Sequence, residues 1–235
     1  MDEQKLLDEQ LAYYRARAGE YDEWFLREGR YDRGPAHRAE WFQEVAVVEA
    51  GLREAGPRGH ALELACGTGL WTRHLAATAT RITAVDASPE VIALNRERLR
   101  SDRVDYVVAD IFSLHPDRSF DFVLFAFWLS HVPPSRFEAF WALVGFALRA
   151  GGRVFFVDSL SEQGATARDQ GLLDDSGVAR RRLNDGREFD IVKVYYDPDA
   201  LERRLQALGW RGRVRASGKH FLYGTMEPVA RSSLT

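Results

Sequence analysis

Three carboxylates fall where short apolar runs end: Glu63, Asp86 and Asp110. The first opens the segment Glu63-Leu64-Ala65-Cys66-Gly67-Thr68-Gly69. Glycines at that spacing let the chain turn sharply and let a ligand approach the backbone. The helix start that follows presents free N–H groups to a carboxylate or phosphate. Asp86 comes 17 residues after Gly69, and a carboxylate there can accept two hydrogen bonds from a ribose diol. Asp110 is placed to receive the amino group of an adenine. A dinucleotide fingerprint would need a glycine three positions after Gly69, and the residue there is Thr72. The pattern therefore suits a nucleoside attached to something other than a pyrophosphate. One histidine stands near these acids, His131 in Trp128-Leu129-Ser130-His131-Val132-Pro133-Pro134. The two prolines stiffen that loop. An imidazole with a pKa near 6.5 is suited to take a proton from an acceptor at neutral pH.

Such groups need a scaffold that delivers them to one edge. From residue 60 onward, short apolar runs alternate with amphipathic helical stretches. The runs are ALELA (61–65), RITAVD (81–86), VDYVVAD (104–110), FDFVLFAF (120–127) and GRVFFVD (152–158). Helices are predicted near 70–77, 89–100 and 135–149. Strand–helix alternation implies crossover units and a mostly parallel sheet. Residues 159–186 are polar and lack periodicity, so they read as a loop or small helical insertion. REFDIVKVYY (187–196) reads as a sixth strand, Asp197-Pro198 as a helix start, and 214–226 as holding a seventh strand. Upstream, residues 3–17 read as a helix with Leu7, Leu11 and Tyr14 on one face, and a second helix begins near Pro35. Aromatic residues crowd the intervening segment at Tyr13, Tyr14, Tyr21, Trp24, Phe25 and Tyr31. Gly19, Gly29 and Gly34 punctuate it.

Composition narrows the classes. The 235 residues suit one α/β domain with a lid or insertion. Acidic residues number 35 and basic residues 32, which argues against a nucleic-acid binder. The longest apolar run, Phe122 to Leu129, is far too short to cross a bilayer. The acidic start MDEQKLLDEQ is not a secretory signal. Cys66 is the sole cysteine, so no disulfide and no multi-cysteine metal site is expected, and a reducing cytoplasm is the expected compartment. Arg180, Arg181 and Arg182 with Lys193 could steer an anionic acceptor, or they could form a solvated charged face.

The segments ELACGTG, VDASPE (85–90), VADIF (108–112), FDFVLFAFWLSHV (120–132) and AGGRVFFVDS (150–159) together resemble the class I S-adenosylmethionine-dependent methyltransferases, in particular their small-molecule branch. The resemblance covers roughly residues 10–226. It implies an α/β, Rossmann-like seven-stranded sheet of order 3-2-1-4-5-7-6 with strand 7 antiparallel, helices on both faces and an N-terminal helical lid. The chain then divides into a lid (1–34), a cofactor-binding core (35–158), an insertion (159–186) and a C-terminal strand-helix-strand (187–226). The usual first motif has a glycine where this chain has Ala65. The resemblance implies S-adenosyl-L-methionine as cofactor. Gly67 and Gly69 would face its methionine and ribose portions, Glu63 its amino group and Asp86 the ribose hydroxyls. Ala87 and Ser88 would border the adenine, Asp110 would meet its amino group and Ile111 its ring. The backbone near Phe127 would reach the methionyl amino group, and Tyr14 and Tyr21 would cover the cofactor. His131 is the candidate general base, with substrate contact or a structural role as the alternatives. The expected partner is a small-molecule methyl acceptor, with no metal, nucleic acid or membrane, in a monomer or homodimer. Two other readings share the sheet: a protein that binds the cofactor without methylating, and a nicotinamide-dependent oxidoreductase. The latter is disfavoured by the broken glycine fingerprint and the lack of a Tyr-x-x-x-Lys pair.

Overall fold

Every one of the five apolar runs becomes a strand, because β-branched and aromatic residues suit a covered parallel sheet, although the edge run 104–108 is largely exposed. The computed structural model describes residues 2–117, 119–160, 165–167 and 177–229. It begins with α1 (Glu3–Arg17), α2 (Tyr21–Leu26) and α3 (Pro35–Ala55). The alternating part follows as β1 (His60–Leu64), α4 (Thr72–Ala76), β2 (Arg81–Asp86), α5 (Pro89–Leu99), β3 (Val104–Val108), β4 (Phe120–Ala126), α6 (Phe137–Ala147) and β5 (Leu148–Ser159). The chain closes with β6 (Val178–Arg182), β7 (Glu188–Val192), α7 (Pro198–Ala207), β8 (Trp210–Ala216) and β9 (Phe221–Pro228).

Seven strands form one sheet of order β3-β2-β1-β4-β5-β9-β8. Strands β1 to β5 pair in parallel, and β9 runs antiparallel to both β5 and β8. This is the expected order and hand of pairing. One layer of core packs α6 and α7 against the sheet through Phe125, Trp141, Phe156 and Trp210. The other packs α3 and α4 against the opposite face through Trp41, Val48, Leu75 and Phe155.

Two sequence expectations fail on the C-terminal third. The sixth strand of the main sheet is β8, not residues 187–196. Only Glu188–Val192 of that stretch is extended, and it pairs with β6 in a separate two-stranded sheet. The physical reason is that its apolar residues serve α1 instead: Phe189 packs on Tyr13 and Ile191 joins the same cluster. The segment 159–186 likewise contains strand β6 rather than a loop or helix, while its residues 161–164 and 168–176 lie outside those described. The helix α2 was also hidden in sequence, since six residues carry no readable periodicity.

Candidate active site

The carboxyl ends of β1, β2, β3 and β4 open into a cleft beneath the N-terminal helices, the edge of an open α/β sheet where ligands bind. Ala65, Gly67, Asp86, Ala87, Asp110, Ile111 and Phe127 line it, and Tyr14 and Tyr21 close it from the N-terminal helices. Trp128, Leu11 and Arg136 complete the rim; none of the three had been singled out for cofactor contact in sequence.

Asp86 is held at both oxygens, accepting from the Gly67 N–H at 3.0 Å and the Ser88 N–H at 2.9 Å. Each oxygen keeps a lone pair for a ligand hydroxyl. Burial raises its pKa, opposed by these backbone bonds. Gly67 has φ +51° and open space where a side chain would project, so a ligand can lie against the bare backbone. Gly69 differs. A Cβ there would strike the Asn95 amide at 2.7 Å, so its glycine answers to packing against α5 rather than to the cleft. Ser88 also departs from the expected role: it is buried and caps α5, accepting from Val91 N–H while its hydroxyl donates to Glu90. A capping residue has its hydroxyl committed to its own helix, and adenine would instead be bordered by Ala87.

Ala65 and Phe127 both adopt left-handed backbone, at φ +53° and +56°. Such conformations are uncommon for residues other than glycine and gather at binding sites. They also account for the glycine that usually occupies the position of Ala65. Phe127 is fixed by its N–H bond to Val157 and by the Trp24 ring at 4.7 Å.

Glu63 lies beside the glycine turn in a narrow extension of the cleft with Gly67, Trp71 and Phe127. It is 2% exposed. Burial pushes its carboxyl up to about 8, and Thr72 hydrogen-bonds it. Oε2 has no hydrogen-bond partner. A buried acceptor without a donor is costly, so this wall is built for an incoming N–H or O–H group. An ammonium group beside the glycine turn would meet that need. The cradle therefore fits a cofactor with an amino-acid portion at Glu63 and a ribose at Asp86.

A second, smaller cavity adjoins the cleft, sharing Tyr14, Tyr21 and Phe127 as lining residues. Its other sides carry Arg17, Tyr31, His131, Arg181 and Lys193. His131 is 6% exposed. Its Nδ1 faces the Val192 carbonyl at 2.8 Å and its Nε2 faces the Tyr14 hydroxyl at 2.7 Å. A carbonyl only accepts, so Nδ1 carries the proton and Tyr14 donates to Nε2. Burial, then the charges of Lys193, Arg181 and Arg17, hold the imidazole well below its usual 6.5. Arg180 leaves this group, pairing with Asp190 on the exposed side of the hairpin. Of the basic run, sequence could not tell which residue turns inward; strand alternation in β6 selects Arg181.

Comparison with known proteins gives the cleft its context. Residues 61–152 match a family model described as a methyltransferase domain. The chain is 43% identical to DhpI in its SAH complex, over 96% of this chain and 98% of that one, with a TM-score of 0.77. The chain belongs to the S-adenosylmethionine-dependent methyltransferase family. The same relative in its complex with SAM and HEP is 42% identical over 95% of this chain and 98% of that one, again at a TM-score of 0.77. Among curated relatives, the nodulation protein S of Sinorhizobium fredii is 33% identical over 43% of this chain and 48% of that protein. The ubiquinone biosynthesis O-methyltransferase of Xanthomonas axonopodis pv. citri is 34% identical over 47% of this chain and 46% of that protein. The chain thus matches about half the length of these curated relatives.

Proposed function

We propose that this protein transfers the methyl group of S-adenosylmethionine to a small organic acceptor. One observation carries the reading: two cavities, one fitted to a nucleoside with an amino-acid arm and one polar, meet at a single wall of Tyr14, Tyr21 and Phe127. A methyl group bound on one side of that wall is presented to an acceptor on the other. That DhpI accommodates HEP together with SAM supports a two-ligand arrangement. The sulfonium supplies an already activated methyl group, so the protein's task is to bind, orient and exclude water. Asp86 orients the ribose, and Glu63 receives the amino group. Tyr14 and Tyr21 exclude water from the junction as part of a lid formed by residues 1–34. Holding the two reactants in attack geometry is worth about 7–11 kcal/mol on its own.

In this reading His131 is a positioning residue. Its proton sits on the Val192 side, and its free nitrogen is occupied by Tyr14. It clamps α1 to β7 and so fixes the shared wall. The buried free thiol of Cys66 suits a cytoplasmic protein. Among the described residues no helix is long and apolar enough to cross a membrane. The test is calorimetric titration with S-adenosylmethionine, S-adenosylhomocysteine and NAD, followed by a metabolite screen read by the mass of an added methyl group. Binding of the two adenosyl ligands without NAD, and a methylated product, is the expected result. Cofactor binding without any product across the screen would point to a non-methylating role instead.

A further inference from the structure

The glycine turn is held by two different elements. Helix α5 fixes its backbone. The Asn95 amide donates to the Cys66 and Gly67 carbonyls at 3.4 and 3.2 Å, and the Arg98 guanidinium donates to the Thr68 carbonyl at 2.7 Å. The Thr68 side chain also answers to α2. Thr68 is 2% exposed, and its hydroxyl donates to Asp22 Oδ1 at 2.6 Å. Asp22 lies in the first turn of α2. Its Oδ2 pairs with Arg98, whose Nη1 also lies 3.1 Å from Thr68 Oγ1. Three side chains thus close a triangle between α2, the glycine turn and α5. The ion pair is partly exposed, so by itself it contributes little. The hydroxyl bond is buried at the Thr68 end and accepted by a charged oxygen, which makes it the stronger side of the triangle.

What α2 carries gives the triangle its meaning. Tyr21, next to Asp22, lines both cavities. Trp24 packs on the Phe127 ring and donates its indole N–H to the Ala165 carbonyl at 2.8 Å. Helix α2 has only six residues, too few to hold together without tertiary contacts. Among these contacts, the Asp22–Thr68 bond ties the covering helix to the turn against which the cofactor lies. Helix and turn cannot part without breaking it.

Resting on the cofactor reading above, we propose that Asp22 is a positioning residue that sets how long the adenosyl cofactor stays bound. It holds α2 down on the glycine turn and so keeps Tyr21 over the cleft. The cofactor enters while α2 is lifted and the bond is open. It leaves only after the bond has broken. Losing the bond therefore acts on release and spares association. A structural role is the competing account, since an acid in the first turn of a helix also favours that helix through its dipole. The two accounts separate at Thr68. Removing its hydroxyl breaks the bond and leaves the acid on α2 in place.

The test follows S-adenosylhomocysteine on the full-length protein by stopped-flow tryptophan fluorescence, with Trp24 and Trp71 close to the turn as reporters. Asp22→Asn and Thr68→Val should each release it about 10-fold faster than wild type, the scale of one lost charge-assisted bond. Association should stay within about twofold. Thr68→Ser, which keeps the hydroxyl, should release at close to the wild-type rate. The double variant should release about as fast as the faster single variant, because both changes break one bond. Release at the wild-type rate in Thr68→Val overturns the proposal, whatever Asp22→Asn does. Effects that multiply in the double variant, or a loss confined to association, overturn it as well. A poorly folded Asp22→Asn leaves the comparison of Thr68→Val with Thr68→Ser to decide. Failure of the wild type to bind S-adenosylhomocysteine is a distinct result, which sinks the cofactor reading and this proposal with it.

Discussion

Glu63 combines a raised proton affinity with an oxygen left without a donor, and this makes its role measurable without turnover. Its folded pKa, about 8, lies above the ordinary 4.5. The folded chain therefore retains a proton that the unfolded chain releases, so apo stability falls as pH rises between those two values. The slope approaches 1.4 kcal/mol per pH unit at most. Denaturant titrations from pH 5 to 8 should show the fall, and Glu63→Gln should flatten it. If the cofactor's ammonium pairs with this carboxylate, binding at pH 7 must expel the proton. Calorimetry in buffers of different ionisation enthalpy would then register proton release in wild type and none in Glu63→Gln. At Asp86, removal of a carboxylate that accepts two ribose bonds should cost roughly 2–4 kcal/mol of cofactor affinity. The same change strands the Gly67 and Ser88 N–H groups. Asp86→Ala is therefore expected to lower the melting temperature by several degrees as well, which separate melting and titration curves would resolve. Histidine 131 gives a third test. Because its pKa is held well below 6.5, it is neutral throughout the range from pH 7 upward, and the kcat profile should show no limb there. His131→Ala should lower kcat by loosening Tyr14, by a factor that does not change with pH. A loss that shrinks steadily at high pH would restore His131 as a base.

The lid depends on short elements that sequence reveals unevenly. Helix α1 is readable because Leu7, Leu11 and Tyr14 recur at helical spacing. Its destination was not readable: Tyr13 packs on Phe189 and Gln10 bonds both His131 and Val192, partners more than a hundred residues away. Local periodicity contains no record of such pairings. The same limit hid Arg17, which looks in sequence like an ordinary basic residue closing a helix. The clue was the tyrosine spacing around it, which reads equally well as core. By contrast the grouping of Gly67, Asp86 and Asp110 in one cleft was legible, because a glycine turn and strand-end acids are local features whose geometry follows from their own strands. If α1 and α2 order over the cofactor, hydrogen exchange from Tyr14 to Trp24 should slow when S-adenosylhomocysteine is added. Exchange unaltered by ligand would show that these helices stay closed at all times.

At the scale of the molecule, apolar strands were the most legible elements; their alternation with helices showed a mostly parallel sheet, and the order of the central five followed from the family resemblance. The error lay at the sheet's far side. β8 reads Trp-Arg-Gly-Arg-Val-Arg-Ala, an edge strand with exposed arginines, and its charge masked it. Residues 187–196 offered a stronger apolar signal and drew the assignment wrongly. What those residues build has a consequence of its own. Among the described residues the β6–β7 hairpin shares no strand pairing with the seven-stranded sheet, yet it supplies Arg181 and Ile191 to the second cavity, and Lys193 follows directly behind. Inheritance can therefore act on the two halves of the chemistry at different rates. A lineage could alter or exchange this hairpin, changing which compound is recognised, while the ladder that carries the cofactor end of the protein passes on untouched.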